Sequence, residues 1–165
     1  MTGAGLPLTS ARGPAAVPGT TGRRTILIAT DLTPTSLVAE TEAIALARDL
    51  HAELLIVSVI DPRSLRGPHG DYVQRIDQAR QDLQARARGL QDRASMVGVE
   101  VRLLIWEGEP AESVLEAAAA ESVSMIVVGS HGRRGVDRLV LGSVSDQVVR
   151  EATVPVVVAR ARPTT

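Results

Sequence analysis

Five short apolar runs, separated by segments with helical patterns, constrain this chain more than any other feature of its sequence. The runs are rich in β-branched and aliphatic residues and have the length of ordinary strands. They cover residues 25–30, 54–60, 99–106, 125–128 and 155–159. Since these runs carry apolar residues on both faces, both faces of the strands are expected to be buried. Right-handed connections through helices then favour a doubly wound parallel sheet with helices on both faces.

The segments between the runs carry signals of helix starts and of buried helix faces. Pro34 stands where the first helix would begin, and its inner face is expected to contain Leu37, Val38, Ile44, Ala45 and Leu50. Asp71 can cap a long second helix. Its apolar stripe, at three- and four-residue spacing, comprises Tyr72, Ile76, Ala79, Leu83, Ala87, Leu90, Ala94 and Val97. Pro110 marks the first turn of the third helix, and residues 143–152 form the fourth.

The length of 165 residues predicts one domain with its own core. Residues 1–22 are rich in Gly, Pro, Ala and Thr without apolar periodicity, so we interpret them as a disordered N-terminal arm, with a short interaction tail as the alternative. Prolines within this arm interrupt the apolar core that a signal peptide needs. The folded domain is then predicted to span residues 23–162.

Composition excludes several classes of function. The chain has 18 basic and 19 acidic residues and a net charge of -1, which gives no electrostatic case for binding nucleic acid or an anionic membrane. Cysteine does not occur, so disulfides and cysteine metal sites are excluded, and we expect a cytoplasmic protein. Lysine is absent too, which excludes a P-loop, a protein kinase and Schiff-base chemistry. Apolar runs of strand length are too short to cross a bilayer.

A glycine-rich segment follows the fourth apolar run. Gly129 and Gly132 are three positions apart. Nine residues then separate Gly132 from Gly142-Ser143, which stands at the predicted start of the last helix. Glycine lets anionic oxygens approach the main chain, and the first N–H groups of a helix point toward such oxygens. The pattern predicts a phosphate site to which Ser143 adds a hydroxyl. The alternative is that these glycines only form a tight turn between strand and helix.

With its flanks, Val127-Val128-Gly129-Ser130-His131-Gly132 and Leu141-Gly142-Ser143-Val144, this segment resembles the ATP-binding branch of the universal stress protein family. The resemblance covers residues 24–160 and implies a Rossmann-like fold, similar to the adenine nucleotide alpha hydrolases, with strand order 3-2-1-4-5. In such a sheet the ligand crevice lies beyond the carboxyl ends of the strands, where the winding reverses between the first and fourth strands.

The resemblance also assigns roles to individual residues. Adenine and ribose contacts fall at Ala29, Thr30, Asp31 and Val59. Phosphate contacts fall at Gly129, Gly132, Gly142, Ser143 and Val144, the last through its backbone N–H. Two alternatives remain open here. Asp31 could cap the first helix or close a turn, in competition with Thr33 and Thr35. One of Arg133, Arg134 and Arg138 could neutralise the terminal phosphate in place of a lysine, or these arginines could belong to a solvated loop.

The function implied is that of a homodimeric universal stress protein that binds ATP, with Mg²⁺ or Mn²⁺ carried on the phosphates, and acts as a stress-response regulator. We expect no catalytic residue, no metal site built by the protein alone, and hydrolysis that is slow or nil. Dimerisation is expected through the C-terminal strand, and further protein partners are unnamed. Two alternatives are a nucleotide-free interaction or chaperone-like module on the same fold and a protein whose ligand is cyclic AMP.

Overall fold

The computed structural model describes residues 22–65, 71–130 and 141–160. Within them the chain alternates strands and helices from β1 to β5. The strands are β1 (Thr25–Ala29), β2 (Glu53–Ile60), β3 (Val101–Glu107), β4 (Met125–Gly129) and β5 (Val156–Ala159). The helices are α1 (Leu37–Asp49), α2 (Tyr72–Met96), α3 (Pro110–Ala120) and α4 (Ser143–Glu151), with short 3₁₀ turns at Pro34–Ser36 and Pro62–Leu65. The predicted arm, apart from Gly22, lies outside the described residues.

The five strands form one parallel sheet in the order β3-β2-β1-β4-β5. This confirms the expected doubly wound α/β fold with strand order 3-2-1-4-5. Strand β1 lies at the centre, with Ala29 beside Val57 of β2 on one side and beside Val128 of β4 on the other. Strands β3 and β5 are the two edges. None of the helices in the part of the chain that the structure describes is both long and apolar enough to span a membrane.

Each face of the sheet is covered by two helices and has its own apolar core. On one face, Ile26, Ile28 and Ile56 pack with buried residues of α1 and α2. On the other, Leu27, Leu55 and Val57 pack with residues of α3 and α4. Because side chains alternate along a strand, both faces of β1 and β2 are buried, which is why these strands read as continuous apolar runs.

The predicted inner face of α1 is wrong in most of its positions. Leu37, Val38 and Leu50 are exposed, and of the expected residues only Ile44 is buried. The observed buried face comprises Ala39, Glu40, Ala43, Ile44 and Ala47. These positions follow the i, i+3, i+4, i+7 spacing of one helix face. Small alanines let the helix lie close to the sheet, so the prediction failed because it favoured large apolar residues.

The signals in the other helices are confirmed. Asp71 caps α2 by accepting a hydrogen bond from the N–H of Val73, and Pro110 stands at the first turn of α3. The middle of the α2 stripe is buried at Ile76, Ala87, Leu90 and Ala94. Its ends, Tyr72 and Val97, are exposed, because the helix is longer than the sheet face it covers.

The amino edge of the sheet, where the strands begin, is closed by an ion triad. Arg102 of β3 pairs with Glu53 of β2 and, at 2.8 Å, with Glu121 at the end of α3. Both carboxylates are largely buried, with 12% and 4% of their side chains exposed. Burial alone lowers the pKa of the Arg102 guanidinium, but its hydrogen bonds to Glu53 and Glu121 outweigh this and leave the pKa above its ordinary value. Arg102 therefore stays positively charged beside the two carboxylates.

Candidate functional site

The candidate site lies at the carboxyl edge of the sheet, between the ends of β1 and β4. These strands are neighbours, but the chain leaves β1 toward α1 on one face and leaves β4 toward α4 on the other. The two connections diverge and leave a crevice, the usual ligand position in such a fold. This arrangement places Ala29, Thr30 and Asp31 at the end of one strand and Gly129 at the end of the other.

Asp31 organises the turn between β1 and α1. Its Oδ1 accepts hydrogen bonds from the N–H and the Oγ1 of Thr33, at 3.1 and 2.7 Å, and from the Oγ of Ser36 at 2.6 Å. Asp31 is also exposed. The turn-closing role, one of the two alternatives from sequence, is thus observed. A carboxylate has about four acceptor positions, so this role is compatible with a ligand contact, which stays a prediction.

Thr30 is buried, and its polar groups are engaged within the protein. Its N–H donates to the carbonyl of Val57 at 3.1 Å, and its own carbonyl accepts from the Oγ of Ser58 at 2.6 Å. Its hydroxyl donates to Glu40 Oε1 at 3.0 Å and accepts from the N–H of Leu32 at 2.9 Å. Thr30 therefore supports the turn between β1 and α1 through its hydrogen bond from Leu32. Its contact with a ligand stays a prediction.

The start of α4 is held directly against the end of β4. The Oγ of Ser145, in the first turn of α4, donates to the carbonyl of Gly129 at 2.7 Å. The N-cap of α4 is Gly142, which has no side chain to accept from the first N–H groups of the helix. By contrast, the N-cap residues Asp71 of α2 and Glu109 of α3 both accept such a bond with their carboxylates. Among the described residues, no side chain therefore caps the N-terminus of α4.

Nothing in the described part of the chain requires a glycine at position 129. Its φ lies outside the left-handed region that favours glycine. A Cβ built there would meet the Cβ of Ala39 at 3.7 Å, an ordinary van der Waals contact. As far as residues 22–65, 71–130 and 141–160 are concerned, alanine would therefore fit at this position. The tight-turn alternative involves residues 131–140, which lie outside the described part of the chain.

Three of the apolar site candidates lie on one face of the sheet. Ala29, Val59 and Val144 are partly buried and pack against the same core cluster, between the sheet and helices α3 and α4. Ser143, the first residue of α4, is exposed. The structure thus brings Ala29, Val59, Val144 and Ser143 to the same edge. Gly132 and Arg133 lie outside the described residues.

Charged side chains also lie along this edge, beside the end of β2. Arg63 makes hydrogen bonds to both carboxylate oxygens of Asp61 and comes within 4.0 Å of Glu109. The hydrogen bonds to Asp61, and the charge of that carboxylate, raise the pKa of the Arg63 guanidinium above its ordinary value. Among residues 22–65, 71–130 and 141–160 there is no cluster of three His, Asp or Glu side chains that could hold a metal ion.

Sequence reasoning missed two residues that build this edge, Ser145 and Glu40. Ser145 follows Gly142-Ser143 by two positions, and nothing in the glycine pattern distinguishes it from a solvated serine. Glu40 had a usable signal, since Ala43, Ile44 and Ala47 follow it at helical spacing. A charged residue on a buried helix face is uncommon, and only the partners seen in the structure explain it.

Comparison with known proteins gives the family. The model of the universal stress protein family matches residues 22–160. A universal stress protein of Bacillus subtilis, YxiE, is 33% identical over 144 residues, which are 82% of this chain and 97% of that protein. Another from Methanocaldococcus jannaschii, MJ0531, is 30% identical over 82% of this chain and 81% of that protein.

Solved structures agree with this assignment. The structure of MJ0577, also from Methanocaldococcus jannaschii, superposes with a TM-score of 0.76 at 25% identity, covering 86% of this chain and 99% of that one. Two universal stress proteins solved with nucleotides share the fold. One, in complex with cAMP, has a TM-score of 0.64 at 23% identity and covers 86% of this chain and 100% of that one. The other, from Archaeoglobus fulgidus in complex with dAMP, has a TM-score of 0.63 at 17% identity and covers 82% of this chain and 97% of that one. By its family match and the identity of its relatives, the chain belongs to the universal stress protein family.

Proposed function

We propose that the carboxyl edge of the sheet binds ATP, with Mg²⁺ or Mn²⁺ carried on the phosphates, and that the protein acts as a nucleotide-dependent regulator. The observation that carries this proposal is the junction of β4 and α4. There Gly129, at which the contacts of the described residues would also allow alanine, lies beside a helix start whose N-cap is also glycine. The function of both glycines is explained if an anion approaches the main chain at this point.

The phosphates would be held mainly by backbone groups. The first-turn N–H groups of α4 point out of the helix at its positive end, and Ser143 adds an exposed hydroxyl beside them. Val144 would contribute its N–H while its side chain stays packed on the core. The bond from Ser145 to the carbonyl of Gly129 fixes the helix start relative to the strand, so the donors are oriented before a ligand arrives.

The nucleoside would lie toward β1 and β2. Ala29 and Val59 offer a partly exposed apolar surface on the α3/α4 face, which suits the flat face of a purine. Asp31, exposed on the adjacent turn, can accept a hydrogen bond from a ribose hydroxyl. Universal stress proteins of this fold have been solved with the adenine nucleotides cAMP and dAMP, which supports an adenine ligand and leaves the number of phosphates to experiment.

Binding without rapid turnover fits the chemistry of this edge. The charged groups nearest the end of β2, Asp61 and Arg63, are bound to each other, and the lysine of a P-loop is absent from the chain. A residue that could orient water for attack on the terminal phosphate is not evident among the described residues. We expect turnover far below the roughly 10 per second typical of enzymes.

We also propose a homodimer formed through β5. Among the described residues, this strand is one edge of the sheet and pairs with β4 alone, so the other side of its backbone can pair with a second copy. Val156, Val157 and Val158 are all partly exposed. Val157→Asp should convert a dimer to a monomer in light scattering, and a dimer that persists in this variant would place the interface elsewhere.

Calorimetry with Mg-ATP, Mg-ADP and cyclic AMP tests the nucleotide proposal, together with a count of phosphates in nucleotide released from purified protein. Gly129→Ala is the informative variant. We expect it to fold with unchanged or slightly higher stability, because the added methyl group makes only an ordinary contact with Ala39. It should bind Mg-ATP more weakly, because it crowds the main chain that the phosphate oxygens would approach.

Three results would contradict the proposal in different ways. Absence of binding at millimolar concentration, with no co-purified nucleotide, would favour the nucleotide-free interaction module. Preference for cyclic AMP over Mg-ATP would make cyclic AMP the ligand. Unchanged affinity in Gly129→Ala would show that the ligand does not approach the β4–α4 junction.

A further inference from the structure

A buried carboxylate lies beneath the candidate site and is used by no part of the function proposed above. Glu40, on the sheet-facing side of α1, is only 5% exposed. Charged side chains are almost never buried to this extent unless they are paired. The partners of Glu40 are therefore informative about its role.

Each oxygen of this carboxylate has a different partner. Oε1 accepts the hydroxyl hydrogen of Thr30 at 3.0 Å. Oε2 accepts from the guanidinium of Arg93, which comes from α2, 53 positions further along the chain. Glu40 thus connects the end of β1 to the long helix α2. Arg93 thus places a positive charge directly beside the buried carboxylate of Glu40.

The bond to Thr30 orients a strained turn. Because the hydroxyl donates to Glu40, its oxygen lone pairs face the N–H of Leu32, which donates to it at 2.9 Å. Leu32 has φ of 56°, the left-handed region that costs a residue with a side chain roughly 1–2 kcal/mol. Hydrogen bonds from outside the turn, such as that of Thr30 with Glu40, are therefore needed to hold Leu32 in this conformation. Asp31 lies between Thr30 and Leu32 in the same turn.

We propose that Glu40 is a positioning residue. Its carboxylate, held by Arg93, fixes the hydroxyl of Thr30 and so keeps the β1–α1 turn in the shape that presents Asp31 to the ligand. By the same contacts, α2 is coupled to the site, since any change in the Arg93–Glu40 pair alters the turn. Coupling of this kind acts in both directions, so that ligand binding would also stabilise the position of α2. The ligand part of this inference rests on the proposed nucleotide function, and the ordering of the turn does not.

Hydrogen–deuterium exchange in the ligand-free protein tests the ordering directly. Arg93→Met leaves the Glu40 carboxylate without its cation, and Thr30→Val removes the hydroxyl while keeping the shape of the side chain. In both variants we expect amides in peptides covering residues 29–36 to exchange about tenfold faster, the effect of losing one hydrogen bond to a charged group. Arg93→Lys should restore most of the protection, because it keeps the charge.

A matched control separates this effect from a general loosening of α2. Arg80 lies on the same helix, is exposed to a similar extent, 36% against 40% for Arg93, and pairs with Glu107 of β3. Arg80→Met should leave exchange in residues 29–36 unchanged. Thr25→Val, at the other end of β1, is the corresponding control for the threonine change.

The affinity for Mg-ATP is the second measurement. We expect Arg93→Met and Thr30→Val to bind about tenfold more weakly than wild type, and Arg80→Met to bind normally. Equal exchange in residues 29–36 for Arg93→Met and Arg80→Met would overturn the positioning role, even if nucleotide binds. If wild type binds no nucleotide, the proposed function fails, and the exchange data still decide whether Glu40 orders the turn.

Discussion

The two edges of the sheet are built on opposite principles. At the amino edge, charged groups satisfy one another, because Arg102 holds the nearly buried carboxylates of Glu53 and Glu121. At the carboxyl edge, α4 begins with a glycine that offers its N-terminal groups no acceptor, and Asp31 lies exposed on the neighbouring turn. The amino edge holds a largely buried ion triad, whereas the carboxyl edge has a helix start without a side-chain cap beside an exposed carboxylate. The difference indicates that stability and binding are separated in space.

The largest effect is expected when an aspartate is introduced at the carboxyl edge and, as a control, at the amino edge of the sheet. Gly142→Asp puts a carboxylate where phosphate oxygens would lie. Two charges about 4 Å apart repel by about 4 kcal/mol at the effective dielectric of a protein surface, so calorimetry should show Mg-ATP affinity reduced by about a thousandfold. Folding should survive, since aspartate is a good helix N-cap.

Gly22→Asp is the matched control for this prediction. Gly22 precedes β1 at the amino edge, and a Cβ there meets nothing within 4 Å. Affinity should remain at the wild-type value. If both variants lost affinity equally, the carboxyl edge would have no special relation to the ligand.

The second prediction concerns stability at the amino edge. Arg102→Met leaves two largely buried carboxylates without their cation. Removing one partner of a buried ion pair lowers the free energy of unfolding by about 3 kcal/mol. Urea denaturation should show this loss in the free energy of unfolding, while Mg-ATP affinity of the folded protein stays unchanged. Arg23→Met is the control, because the Arg23–Glu100 pair is exposed at both ends and should contribute less than about 1 kcal/mol. Similar losses in both variants would mean that burial of the triad has no energetic consequence.

A third, smaller effect is expected at the carboxyl edge from Asp31→Ala. The variant should bind Mg-ATP about three- to tenfold more weakly, because it removes one ligand hydrogen bond worth roughly 0.5–1.5 kcal/mol and the support of the turn. Asp71→Ala removes a different carboxylate, the cap of α2. It should cost about 1 kcal/mol of stability and leave affinity intact. Normal binding by Asp31→Ala would reduce Asp31 to its role in the turn.

The smallest effect is expected from deleting residues 1–21. The sequence of this segment shows no apolar periodicity, so we expect the melting temperature and the Mg-ATP affinity to stay nearly constant when it is removed. Differential scanning calorimetry and titration of the truncated chain provide the measurement. A drop of several degrees would show that this segment packs on the domain.

The sequence by itself determined the sheet, its parallel direction and most element positions, because continuous apolar runs and helix caps are local signals that the fold did not override. It also indicated Gly129 and Gly142, whose spacing is visible in the chain. Only the tertiary structure decided which side chains support them. Ser145 matters because α4 starts beside β4, and Glu40 is buried because Thr30 and Arg93 meet it from other elements. Such contacts join residues far apart in the chain, and no pattern within one segment specifies them. The inner face of α1 was mispredicted for the same reason, since the sheet selects small residues where the helix lies close to it.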